Sequence, residues 1–175
     1  MSKKYFERGL MDNATLIIKE LCRQNIIAQE TGYGPFCAAI CNDEGHILTV
    51  AHNSVLVENS SVCHAEINAI KQIQVQYNTY DLSNYNLSIY ISAEPCIMCI
   101  GAIMWSGIKK VYYGLPSSEV EKISGFIEGY KPDWENYFKK IGIEVQGSIA
   151  VEDCKQTLEH YVSKGSKIYK PQNLA

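Results

Sequence analysis

The chain has 175 residues, 46% apolar and 20% charged, and 16 basic against 19 acidic side chains leave a net charge of −3. That length supports one well-filled core without a second domain, 1–175 reading as one unit, and no apolar run approaches the ~20 residues of a membrane span. The slight acidity argues against a nucleic-acid substrate, which asks for a basic stripe.

Met1 to Arg8 is charged and lacks the apolar stretch of a secretory leader, so a cytoplasmic protein is expected. Residues 12–29 predict a first helix, capped by Asp12 or Asn13, with Leu16, Ile17, Leu21, Ile26 and Ala28 along one face. Phe36–Cys41 and His46–Ala51 read as strands joined by a turn at Asn42-Asp43-Glu44-Gly45. Residues 54–62 read as a polar loop, followed by a helix from Cys63 to Gln76. Then come a strand at Leu87–Ser92, a helix at Pro95–Ser106 and a strand at Lys110–Tyr113. Pro95 suits a first helical turn, where its missing N–H costs nothing. Pro116–Ile123 predicts a helix, Ser124–Pro132 a loop, Asp133–Ile141 a helix, Glu144–Ile149 a strand and Val151–Ser163 a closing helix. Strands alternating with helices argue for an α/β sandwich of about five strands, the first two forming a hairpin.

Of seven cysteines, only Cys96 and Cys99 stand at a ligand spacing. Cys22, Cys37, Cys41, Cys63 and Cys154 fit free thiols better than a disulfide framework. His64-Ala65-Glu66 precedes Pro95-Cys96-Ile97-Met98-Cys99, which supplies three zinc ligands and a carboxylate that need not be one. A structural zinc takes four protein ligands, whereas a hydrolytic zinc keeps one position for water. Cys96 and Cys99 are three apart at an expected helix start, where the helix end favours thiolates. Zinc makes water a nucleophile near neutral pH, and Glu66 is placed to take its proton, return it to a ring nitrogen and assist loss of ammonia. The ordered pattern H-x-E…P-C-x-x-C is the signature of zinc nucleobase deaminases.

With these motifs the chain resembles the cytidine-deaminase-like superfamily over nearly its whole length, and within it the bacterial guanine deaminases. The resemblance implies a three-layer α/β/α sandwich around a mixed sheet, with Zn2+ as cofactor. Residues 92–107 (SAEPCIMCIGAIMWSG) are similar to their metal-binding helix, including Trp105 six positions after the second cysteine. Gly34 to Ala39 looks like their first pocket strand, and His52-Asn53-Ser54-Val55 resembles the segment whose asparagine binds the purine. Gly125-Phe126-Ile127-Glu128-Gly129 resembles a loop that supplies a stacking ring and a second acid. The resemblance therefore implies Glu66 and Glu128 as catalytic acids. It implies Asn53, Phe36, Ala65, Trp105, Phe126 and Tyr169 as substrate contacts. It further implies a homodimer whose C-terminal segment, about residues 160–175, can exchange between subunits.

The expected reaction is hydrolysis of guanine to xanthine and ammonia, with ammeline as a side substrate. The alternatives are cytosine or a nucleoside, and tRNA adenosine editing, against which Glu152, Asp153 and Glu159 precede Lys164, Lys167 and Lys170. A non-catalytic zinc module would need a fourth protein ligand, for which Cys63 is the obvious candidate, but its thiol is expected to point away from the adjacent His64.

Overall fold

The computed structural model describes residues 13–171; the charged Met1–Arg8 segment, the cap candidate Asp12 and the last four residues of the expected exchanging tail lie outside them. In chain order the elements are α1 (Asn13–Gln29), β1 (Cys37–Cys41), β2 (Ile47–His52), α2 (Val55–Glu58), α3 (Ala65–Tyr77) and β3 (Ser88–Ala93). They continue with α4 (Ile97–Ser106), β4 (Lys110–Leu115), α5 (Ser117–Ser124), α6 (Trp134–Lys140), β5 (Glu144–Gln146) and α7 (Val151–Ser163).

The five strands form one sheet in the order β2-β1-β3-β4-β5. β1 pairs antiparallel with β2 and β3, whereas β3, β4 and β5 run parallel. Successive side chains of a strand face opposite ways. Ala38 and Ile40 of β1 therefore enter a core under α3, α4 and α6 with Ile73, Ile103 and Phe138. Cys37, Ala39 and Cys41 enter a second core under α1, α5 and α7 with Ile18, Leu21 and Leu158. Helices on both faces give the expected three layers around a mixed sheet.

Three local readings change. The stripe that α1 buries is Ala14, Ile17, Ile18, Leu21, Cys22, Asn25 and Gln29, an i, i+3, i+4 ladder; Leu16 faces solvent. The polar loop after β2 contains the single-turn α2. β5 stops at Gln146 because Ser148 and Ala150 both take positive φ, 58° and 50°, which turns the chain out of the ladder. All seven cysteines are free thiols, and Cys22, Cys37, Cys41 and Cys154 are buried. Among the described residues, no helix is long and apolar enough to cross a membrane.

Candidate active site

The parallel strand β3 ends at Ala93, and the chain turns through Glu94 and Pro95 into α4. Cys96 is the residue just before α4, extended at φ −68°, ψ 169°, and His64 stands in the same place before α3 at φ −71°, ψ 156°. Helix starts present unsatisfied N–H groups and a partial positive charge. α3 and α4 pack together, so the two starts converge beyond the carboxyl ends of the strands, where α/β sheets carry their sites.

His64 Nδ1 lies 3.5 Å from Cys96 Sγ and 3.6 Å from Cys99 Sγ, and all three ligand atoms fall within 4.8 Å of one another. A hydrogen bond from Cys99 and, against burial, the neighbouring His64 bring the Cys96 thiol down to about 4. The same shared bond, reinforced by burial, pushes Cys99 up. Burial disfavours the imidazolium of His64, but the bond to Cys96 and the charges of Glu66 and Cys96 outweigh it and raise His64. Two thiols and an imidazole at this separation suit a tetrahedral zinc with one position left over. The Cys63 thiol turns to Glu58 Oε2 at 3.5 Å, so it is not a fourth ligand.

Two carboxyls border the cluster. Glu66, in the first turn of α3, is 6% exposed; burial, then the charge of Cys96, holds it above the usual carboxylate range. Glu128 arrives from a different direction, on the loop after α5. It is 8% exposed, and burial first, then the charge of Cys96, pushes it up to about 8. Its N–H donates to Glu121 Oε1 at 3.2 Å, and its carbonyl accepts from Ile97 N–H at 3.1 Å.

The aromatic wall comes from three segments. The Phe126 ring meets Phe36 edge-on at 5.2 Å and Tyr169 at 4.8 Å. Tyr169 reaches this site in its own chain, after a tail fastened by Tyr161 Oη donating to the Lys167 carbonyl at 2.7 Å. Asn53 is 1% exposed and follows the last residue of β2. Its Oδ1 accepts from Val55 N–H at 3.2 Å, while Nδ2 and Tyr169 Oη are enclosed without a partner among the described residues. Buried polar atoms are ordinarily bonded, so two orphans on one wall mark where a polar ligand is received.

One expected contact falls elsewhere. Trp105 is 81% exposed and lines an outer groove with Ile67, Ile70 and Tyr80. Six residues carry it about 240° around α4 from Cys99, whereas Ile103 and Ser106 share the buried face of Cys99. Ala65 stands between His64 and Glu66 with its methyl fully buried in the core beneath α3, which leaves its backbone to face the site. One residue, Asn25, joins the site unannounced, and Gly34 of the expected pocket strand is its closest approach. Buried Asn25 donates to the carbonyls of Gly34 at 3.0 Å and Phe36 at 3.3 Å, holding the pocket strand from behind. A methyl at Gly34 would press on Tyr169 Oη and sit 2.8 Å from Asn53 Oδ1. A polar residue within the buried stripe of α1 is the one signal that could have found Asn25.

Residues 12–115 match the cytidine and deoxycytidylate deaminase zinc-binding region, which includes every residue of the metal cluster. The chain belongs to this family. It is a zinc-binding deaminase, of the hydrolase class. Its relatives within the family differ in substrate. It is similar to the tRNA-specific adenosine deaminase of Haemophilus influenzae, 29% identical over 78% of this chain and 76% of that one. It is also similar to the guanine deaminase of Bacillus subtilis, 36% identical over 55% of this chain and 60% of that one. The solved guanine deaminase from Nitrosomonas europaea superposes with a TM-score of 0.79 at 33% identity, covering 89% of this chain and 87% of that one.

Proposed function

We propose that this deaminase converts guanine and water to xanthine and ammonia. The observation that carries the reading is the second buried carboxyl: Glu128 faces the same cluster as Glu66, from a loop that also supplies Phe126. His64, Cys96 and Cys99 would hold the zinc, which when bound would supply the Lewis acidity that activates water. Glu66 takes the water's proton and returns it to a ring nitrogen, while Glu128, its carboxyl raised by burial, donates a proton to the departing amine and recovers one from the C2 hydroxyl as the carbonyl forms. Asn53 Nδ2 donates to an acceptor on the purine edge, and Phe126 covers the ring. Phe36 and Tyr169 support Phe126 from either side.

A free base is the substrate best suited to this pocket. With Asn53, Phe126 and Glu128 all buried and the tail lying over them, a ribose or an anticodon stem would require the tail to leave. A compact triazine such as ammeline fits the same description. The tRNA-specific relative supports editing as the second reading, against which stand the net charge of −3 and the tail. We further propose a homodimer of cytoplasmic enzymes, acting on a small molecule and on neither membrane nor nucleic acid.

Ammonia release from guanine, guanosine, cytosine, adenine and a tRNA anticodon stem, with zinc content measured in parallel, tests the assignment. Guanine is expected to be turned over with the highest kcat/KM. Turnover of the anticodon stem without guanine would replace this reading with tRNA editing.

A further inference from the structure

The loop that carries Phe126 and Glu128 returns to the core through a largely buried ion pair outside the chemistry above. Lys131 and Glu94 keep 9% and 14% of their side-chain surface, and Lys131 Nζ lies 3.1 Å from Glu94 Oε1. The same ammonium donates to the Pro95 carbonyl at 2.7 Å and to the Ser117 hydroxyl. An ammonium has three N–H donors, and here three oxygens surround it, two as hydrogen-bond acceptors and one as the ion-pair partner. Glu94 is equally engaged: Oε1 accepts from Trp134 Nε1 at 2.8 Å and Oε2 from Ser117 N–H at 2.9 Å. Pro95, whose carbonyl Lys131 holds, is the residue immediately before Cys96.

Removing two charges from water offsets most of their mutual attraction, so a buried pair does little for net stability compared with an apolar pair of similar volume. What it adds is direction. Glu128 stands three residues before Lys131, and its carbonyl is already bound to Ile97 N–H. Between them Gly129 takes φ +82° so close to Ile97 that a Cβ would meet Ile97 Cγ2 at 2.6 Å. The loop is thus fastened to the Cys96 turn at two points, with the Glu128 carboxyl at the first and the Lys131 ammonium at the second. Apolar packing at position 131 would tolerate sliding; two hydrogen bonds and an ion pair do not.

We propose that Lys131 is a positioning residue for Glu128, its bonds to the Pro95 carbonyl and Glu94 fixing where the Glu128 carboxyl stands relative to the Cys96 turn. The inference rests on Glu128 acting as the second acid. A cycle of wild type, Lys131→Met, Glu128→Ala and the double variant tests it, with kcat and KM for guanine, zinc content and thermal melting measured on each. A displacement of about 1 Å can cost ~100-fold, so Lys131→Met is expected to lower kcat by about 10- to 100-fold, with zinc content and KM little changed. In the Glu128→Ala background the same change should cost under about 3-fold, because residues acting as a unit are not additive. An equal loss in both backgrounds, or wild-type kcat in Lys131→Met, overturns the proposal. A fully active Glu128→Ala would instead overturn the reading of Glu128, and the positioning role with it. Because Lys131→Met leaves Glu94 charged and buried, the cycle is repeated with Glu94→Gln/Lys131→Met, which has no lone charge. If neither variant folds, Lys131 serves folding, and that outcome also counts against the proposal.

Discussion

Glu66 and Glu128 are 62 positions apart in sequence yet border one cluster, and each is more than nine-tenths buried. Neither is a zinc ligand, so their removal should separate chemistry from metal binding. For Glu66→Gln, zinc content should remain at wild type while kcat falls about 10²- to 10⁴-fold, the usual scale for a lost general acid or base; a variant that kept turnover would remove Glu66 from the mechanism. Phe126→Ala should act mainly on KM, because in the proposed mechanism the ring covers the substrate without exchanging a proton; a selective loss of kcat would contradict that role. Residue-level reading was strongest for the zinc ligands His64, Cys96 and Cys99, whose chemistry depends on residue type and short spacing. It failed for Trp105, since the six-residue step that carries the resemblance also rotates the side chain off the face of Cys99.

At the level of elements, the site depends on segments brought together at their ends: the starts of α3 and α4, the strand after Gly34, the loop after α5 and the tail after α7. Gly34 is the tightest of these joints. Gly34→Ala should push Asn53 and Tyr169 from the wall and raise KM for guanine about 10-fold, a cost of about 1.4 kcal/mol, with melting little altered; unchanged KM would show that the wall does not receive substrate. The helix starts also couple metal to fold. A ligand that binds the folded state alone stabilises it, so stripping zinc with a chelator should lower Tm and abolish turnover, both restored by Zn2+; an unchanged Tm would place the metal outside the folded core. Element order and most boundaries were legible in the periodicity of apolar residues. The exceptions have local causes: two positive-φ residues that end β5, and a buried Asn25 that a hydrophobic stripe does not announce.

For the whole molecule, two cores on opposite faces of one sheet hold these element ends in register. Phe138 is fully buried beside Trp134, their rings edge-on at 5.3 Å. Phe138→Ala should cost about 3–5 kcal/mol, read by denaturant unfolding, as for other large core aromatics; a loss below about 1 kcal/mol would mean that the α6 side contributes little to the core. By itself the sequence determined the reaction class and the layered α/β architecture, because ligand spacing, helix starts and hydrophobic period are local properties of the chain. The resemblance named Glu128, Asn53 and Tyr169, but the tertiary structure alone decided how distant groups meet there: the unpartnered polar atoms of Asn53 and Tyr169, Lys131 bound to the Pro95 carbonyl, and Trp105 turned outward. Such contacts join positions tens of residues apart, and their geometry follows from how the sheet and its two helical layers pack.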